Sequence, residues 1–224
     1  MNYIQELKAY HPRNAQEEAD REMILSYIET FPDTILTREN RFAHMTAASM
    51  IFNENRDRVL MIYHNIFRSW SWTGGHADGD TDMLYVAEKE AKEETGIRHL
   101  RVLKTEPGKY SLAAVDVLPV WGHVKRGKYV SAHLHLNLSY LFEADEAEAL
   151  HIKEDENSQV GWIPVARLRE KVTEPDMIPV YEKLISLGKN IKRNHTDQQY
   201  KTAIQNSCKI QENTGNSTKS VLLR

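Results

Sequence analysis

Near the start of the chain, apolar residues recur twice at helical spacing. Tyr3, Ile4 and Leu7 make a short stripe that stops before Pro12. Met23, Ile24, Tyr27, Ile28 and Phe31 make a longer one that ends at Pro32. Asn14, followed three residues later by Glu17, matches a capping box for the second helix. The two stripes predict a helical extension over 1–40 that packs on the rest of the protein.

From His44 the hydrophobic period shortens from about 3.6 to about 2. "HMTAASMIF" and "RVLMIYH" read as two strands of a hairpin around the turn "NENRD". "SWSWTGG" then leads into a helix over Asp82 to Thr95, with Leu84, Ala87 and Ala91 on its inner stripe and Gly96 as its C-terminal cap. "LRVLKT", "SLAAVDVLPVWGHV" and "YVSAHLHLNLSYLFEA" are further strand candidates, "VGWIPVARL" is a strand entering a short helix, and "MIPVYEKLISLG" is a last amphipathic helix. This order predicts an α/β (α+β) domain over 41–190, a mixed sheet with helices on its faces. Residues 191–224 are polar with few large apolar side chains, which predicts a flexible tail.

Composition narrows the class without fixing it. The 224 residues are 41% hydrophobic and 27% charged, with a formal net charge of −3, so nothing draws the chain to nucleic acid or to an anionic membrane. One cysteine, Cys208, excludes an internal disulfide framework and a four-cysteine zinc site. No apolar run approaches the roughly 20 residues of a membrane span, and the N-terminus lacks the basic-then-apolar layout of a signal peptide. The expected compartment is the cytoplasm.

The chemistry concentrates in "GGHADGDTDMLYVAEKEAKEETGI", Gly74 to Ile97. Glu90, Glu93 and Glu94 stand at i, i+3 and i+4, on one side of the predicted helix. Like charges at this spacing repel. Three converging carboxylates suit a hard divalent cation, Mg²⁺ above all where phosphate completes its shell. The i,i+4 pairs Glu88–Lys92 and Lys89–Glu93 fit an ordinary solvated helix equally well; the glycine pair at a fixed distance upstream favours the metal reading.

With that glycine pair, the segment resembles the box of the Nudix hydrolase family, G-x5-E-x7-R-E-U-x-E-E-x-G-U, where U is a bulky aliphatic residue. Six of its nine fixed positions match: Gly75, Glu90, Glu93, Glu94, Gly96 and Ile97. Thr81 replaces a glutamate, Lys89 replaces an arginine and Ala91 replaces an aliphatic residue. Lysine keeps the charge that braces the glutamates but loses the forked geometry. Thr81 lies where the loop enters the helix, a position where a hydroxyl caps N–H groups.

The resemblance implies an α/β/α sandwich and hydrolysis of a diphosphate linkage in a small molecule, typically a nucleoside diphosphate derivative. By position, Glu90, Glu93 and Glu94 would ligate Mg²⁺ or Mn²⁺ together with the carbonyl of Gly74. Glu93 and Lys89 would serve catalysis. Glu156, with Glu154 behind it, is the candidate general base, although both also read as surface carboxylates. Family habit makes a homodimer plausible. The alternative is a Nudix-fold module that binds a nucleotide without turnover. Isopentenyl-diphosphate isomerase shares the fold, but its chemistry needs an active-site cysteine, and Cys208 lies in the polar tail.

Strict alternation in "AHLHLNLSYLF" sends Leu134, Leu136, Leu138 and Tyr140 to one face and His133, His135, Asn137 and Ser139 to the other. In an open sheet such a polar row simply faces water, whereas in a sandwich with helices on both faces it lines a cleft. His133, His135 and Asn137, with His76 and Arg126, are therefore the candidate substrate contacts. The His-x-His spacing also permits a transition-metal site. "HVKRGKY" reads as a basic hairpin tip, either a solubilising turn or a phosphate clamp, and Trp70 and Trp72 could stack on a base or fill core.

Overall fold

A computed structural model describes residues 2–105, 111–125 and 127–191. The expected flexible tail and Arg126 fall outside the described residues.

Asn2 caps α1 (Tyr3–Ala9), and the Asn14 side chain caps α2 (Ala15–Thr30), accepting from the Glu17 amide at 2.9 Å. The Glu17 carboxylate turns back one residue further than a capping box requires and accepts from the Arg13 amide at 2.9 Å. Leu7, Ile24 and Ile28 enter the core, while Met23 and Phe31 remain largely exposed, so the α2 stripe is narrower than its sequence implies.

The sheet is built around β1 (Ala43–Phe52), buried along its whole length. On one edge it pairs in parallel with β9 (His133–Glu143) over ten residues, Ala43↔Leu134 through Phe52↔Glu143. On the other edge it pairs antiparallel with β2 (Arg58–His64) at Ile51 and Phe52, and with β4 (Thr73–His76) from Thr46 to Ser49. Beyond β2 lie β3 (Ser69–Ser71) and β10 (Asn157–Pro164); beyond β9 lie β5 (Arg101–Val102) and β6 (Ala114–Val120). A separate hairpin joins β7 (His123–Lys125) to β8 (Lys128–Val130), with Gly127 at φ 76°. The expected β1–β2 hairpin, the mixed sheet and the flanking helices are present. The strand β4, which the glycines conceal in the sequence, is added.

Because side chains alternate, β1 and β9 each show two faces. Met45, Ala47, Leu136, Leu138 and Tyr140 share a core with α1, α2 and α3 (Met83–Thr95). The opposite face carries Phe52 at one end, where α5 (Met177–Asn190) packs so closely that a Cβ on Gly188 would lie 2.4 Å from the Phe52 ring. A 3-10 turn, Val165–Arg167, and the single-turn α4 (Leu168–Lys171) lead from β10 toward α5. The other end of this face, carrying His44 and Thr46, is covered by no helix among the described residues and forms a cleft.

Two buried polar groups bind the N-terminal helices to the sheet. The Glu6 carboxylate accepts from the Tyr140 hydroxyl at 2.7 Å and from the Ser111 amide at 3.2 Å. Lys183 on α5 sits 3.1 Å from Glu17 and 2.7 Å from Asp116.

Candidate active site

The cleft measures 530 Å³, and both the glycine-rich loop and the polar row of the sheet line it. Its acidic side starts at β4. Gly75 faces Ala47 across the β1 ladder, and a Cβ there would lie 2.5 Å from the Glu90 carboxyl carbon. Only glycine lets the Glu90 side chain lie flat against the strand. Gly74 donates its amide to Glu94 at 3.0 Å, and Asn157 holds the Glu94 backbone carbonyl at 3.0 Å. The sheet edge therefore grips the metal-candidate helix directly.

Glu94 is buried, and burial pushes its carboxyl well above the ordinary carboxylate range despite the Gly74 hydrogen bond. Burial also raises Glu90, against the pull of the Lys153 charge. Glu93 is the exposed member of the three, with 43% of its side chain in solvent. A positive charge sits among them: Lys153 Nζ lies 3.3 Å from Glu93, 3.3 Å from Glu156 and 3.9 Å from Glu90. Burial works against this ammonium, but the Glu156 and Glu90 charges outweigh it and hold its pKa above the ordinary lysine value. Sequence spacing gives no hint of Lys153, which stands 60 residues from Glu93.

Lys89 reaches the same group from the helix, 3.9 Å from both Glu90 and Glu93. A single ammonium at equal distance from two carboxylates is a looser brace than an arginine fork. Glu156 lines the cleft with Asp155, while the Glu154 side chain does not reach it.

Thr81 does not cap the helix. Asp82 does, accepting from the Tyr85 amide at 3.1 Å, while Asp80 accepts from the Asp82 amide at 2.8 Å. The helix accordingly begins at Met83, and Thr81 stands exposed in a shallow depression that Lys89 also lines. Aspartate takes the cap because its carboxylate both accepts the amide bond and opposes the positive end of the helix.

The opposite wall is basic and aromatic. His44, His76, His133 and His135 cluster on β1, β4 and the start of β9, with His44 4.9 Å from His76 and 5.0 Å from His133 between ring centroids. Two of them, His133 and His135, lie in the expected polar row, and His76 is a further expected substrate contact; His44 is in neither set, although the alternation of "HMTAAS" puts it on the same face. Burial drives the His76 pKa down to about 3 and lowers that of His44 and His135 as well. Asn137 faces the cleft floor, but its amide is already engaged, accepting from Thr46 at 3.1 Å and donating to Ser139 at 2.9 Å.

Lys125 and Tyr129 of the β7–β8 hairpin line the cleft, and the β7–β8 pairing bears out the hairpin in "HVKRGKY". Trp72 lines the cleft and meets Tyr181 edge-on at 5.3 Å, whereas Trp70 packs on Tyr63 at 6.0 Å. Of the two tryptophans, Trp72 has access to a ligand in the cleft.

Comparison with known proteins agrees with the geometry. No curated protein matches the chain. Among solved structures, a NUDIX-family hydrolase from Clostridium perfringens superposes with a TM-score of 0.50 at 16% identity, covering 64% of this chain and 97% of that one. An Ap4A hydrolase from C. elegans in a binary complex superposes with a TM-score of 0.45 at 16% identity, covering 63% of this chain and 95% of its own. At 16% identity the likeness to the first of these is one of fold alone. The sequence profile described as NUDIX domain matches residues 43–184, well over half of the chain, and with the glycine-gripped acidic helix inside that span, the chain belongs to the Nudix family.

Proposed function

We propose that this protein is a metal-dependent hydrolase of a diphosphate linkage in a nucleoside diphosphate derivative or related small molecule. The observation that carries the reading is the gathering of Glu90, Glu93 and Glu156 around one ammonium, beside a buried Glu94 that the Gly74 amide holds. Such a cluster is costly unless a cation compensates it.

The residues fit a hard divalent ion. Every donor is an oxygen, and glycine at position 75 leaves the space that Glu90 needs. Glu90, Glu93, Glu94 and the Gly74 carbonyl would hold Mg²⁺ or Mn²⁺. The bound ion would neutralise phosphate charge and acidify a coordinated water.

The protein's own groups supply the rest. Lys89 keeps Glu90 and Glu93 on the cleft side of the helix. Glu156 accepts the proton of the attacking water on a carboxylate oxygen. Lys125 and the histidine wall receive the phosphate end of the substrate, and Trp72 offers a face to its base. The helical extension at 1–40 completes the core under this site.

The second reading, a module that binds nucleotides without turnover, draws support from Lys153, whose ammonium already balances the carboxylates, and from Thr81 in place of a glutamate. The test is a panel of nucleoside di- and triphosphates, dinucleoside polyphosphates and nucleotide sugars, assayed with Mg²⁺ and with Mn²⁺. Metal-dependent turnover that Glu93→Gln abolishes without changing Tm is the expected result, since Glu93 is exposed. Undiminished hydrolysis by that variant overturns the assignment, and binding without turnover by the wild type favours the module. Glu156→Gln is expected to flatten the acidic limb of the pH–rate profile; an unchanged limb removes Glu156 as the base.

A further inference from the structure

The carboxylates account for only one wall of the cleft. On the other, histidines from three strands meet. His44 on β1 and His135 on β9 are paired residues of the parallel ladder, and His76 on β4 stands opposite Thr46, two positions along β1. The ring of His76 lies 4.9 Å from that of His135, and the two ring centroids of His44 and His135 are 5.3 Å apart. One nitrogen from each of His44, His76 and His135 falls within 4.8 Å of the others.

The tautomer of His44 is fixed by its backbone partner. Its Nδ1 lies 3.0 Å from the Asn40 carbonyl, which can only accept, so Nδ1 carries the proton. That leaves Nε2 as a lone pair. It is buried and has no hydrogen-bond partner among the described residues. A buried acceptor with no donor is costly, and an imidazole oriented by a carbonyl behind it is the usual arrangement of a metal-bound histidine.

We propose that His44, His76 and His135 form a second cation site, chemically distinct from the carboxylate cluster, that takes a divalent transition metal such as Zn²⁺ or Co²⁺. Three neutral nitrogen donors suit these ions and offer little to Mg²⁺. Burial lowers the pKa of all three rings, in the direction of the neutral form. Metal–nitrogen bonds of about 2.0–2.1 Å put tetrahedral ligands roughly 3.4 Å apart, so the rings must close by an ångström or so, within reach of side-chain rotation.

The positive charge of Arg38, which acts on all three rings, is itself paired with Asp78 in a forked contact at 2.8 Å and 2.5 Å. His133 is the candidate fourth ligand: its Nδ1 lies 2.9 Å from the Ser131 carbonyl, and its ring is 5.1 Å from that of His135. The bound ion would pin β1, β4 and β9 together and present positive charge to an anionic ligand in the cleft. The site does not depend on turnover at the carboxylates.

The experiment uses the full chain without a histidine tag, stripped with a chelator and titrated with Co²⁺ under visible absorption and with Zn²⁺ by calorimetry, in excess Mg²⁺. One equivalent bound despite Mg²⁺, with a rise in Tm and a Zn²⁺-dependent shift of the His44 Nε2 resonance, is the expected result. His76→Ala, on a short outer strand, is expected to weaken binding by about tenfold or more, while Glu90→Gln and Glu93→Gln leave it unchanged. His135→Gln serves as the second variant, checked for an unaltered circular dichroism spectrum. The proposal is overturned if no Co²⁺ or Zn²⁺ binds. It is equally overturned if binding survives both histidine variants, or if the glutamate variants or Mg²⁺ abolish it.

Discussion

Gly74 and Gly75 are neighbours on one strand, yet an added Cβ meets different things at the two positions. At Gly75 it would lie 2.5 Å, 2.7 Å and 2.8 Å from the Cδ, Cγ and Oε1 atoms of Glu90, the free end of a flexible side chain. At Gly74 it would lie 2.7 Å from the Ala47 carbonyl oxygen and 2.9 Å from the Ala48 Cα, both backbone of the central strand. Ordinary carbon contacts are about 3.5–4.0 Å, so Gly75→Ala forces the Glu90 carboxylate back by about 1 Å, and Gly74→Ala forces the ladder itself apart.

A misplacement of about 1 Å at a catalytic group costs on the order of 10²-fold in rate, or about 2.7 kcal/mol. Overpacking against backbone costs about 1–3 kcal/mol, which in a domain of this size lowers Tm by about 6–12 °C at its upper end. The expected outcome is a separation. Gly75→Ala keeps a Tm near the wild type and loses Mn²⁺ affinity, read by electron paramagnetic resonance, together with diphosphatase activity. Gly74→Ala loses Tm. Wild-type Mn²⁺ binding in Gly75→Ala, or an equal loss of Tm in both variants, would refute the assignment of one glycine to the site and the other to the fold.

Two further outcomes follow from single residues. Lys153→Gln removes the ammonium that competes for the carboxylates and is expected to tighten Mn²⁺ binding by about tenfold; unchanged affinity would mean that the lysine swings clear of the cluster. Burial raises the Glu6 pKa above its ordinary 4.5, so the fold prefers the protonated acid. Its contribution is fully present below the unfolded pKa and is lost as pH rises through the folded value. Glu6→Gln removes this loss, so the Tm of the variant relative to wild type is expected to climb from pH 4 toward pH 7, and a difference that does not vary with pH rules the effect out.

What could be read from the sequence depended on whether side chains or backbone carry the information. The β9 alternation and the α3 glutamates announce themselves through side-chain period, and the structure sets them as that period predicts. β4 was invisible because "TGGH" has little strand propensity. It is a strand because its amides and carbonyls complete the edge of β1, and glycine suits it because Glu90 and the Ala47–Ala48 backbone leave no room for Cβ atoms. The helix cap moved from Thr81 to Asp82 because two carboxylates flank the threonine and one outcompetes its hydroxyl. Lys153 could not be found by any local pattern, since only the fold brings its loop over α3.

The parallel β1–β9 ladder fixes when the cleft can exist at all. Its paired residues, such as Thr46 and Asn137, stand 91 positions apart, and no local turn can bring them together. During synthesis at about 5–20 residues per second, β1 waits roughly 5–20 seconds for its partner, with only β2 and β4 available meanwhile to cover its other edge. Each of those is a shorter, nearer contact that closes early. The strand carrying His44 thus carries an exposed apolar edge throughout that interval, and its capture by another nascent chain is the misfolding route this topology favours. The ladder that sets His44 beside His135 therefore also sets how long β1 stays open to a foreign strand.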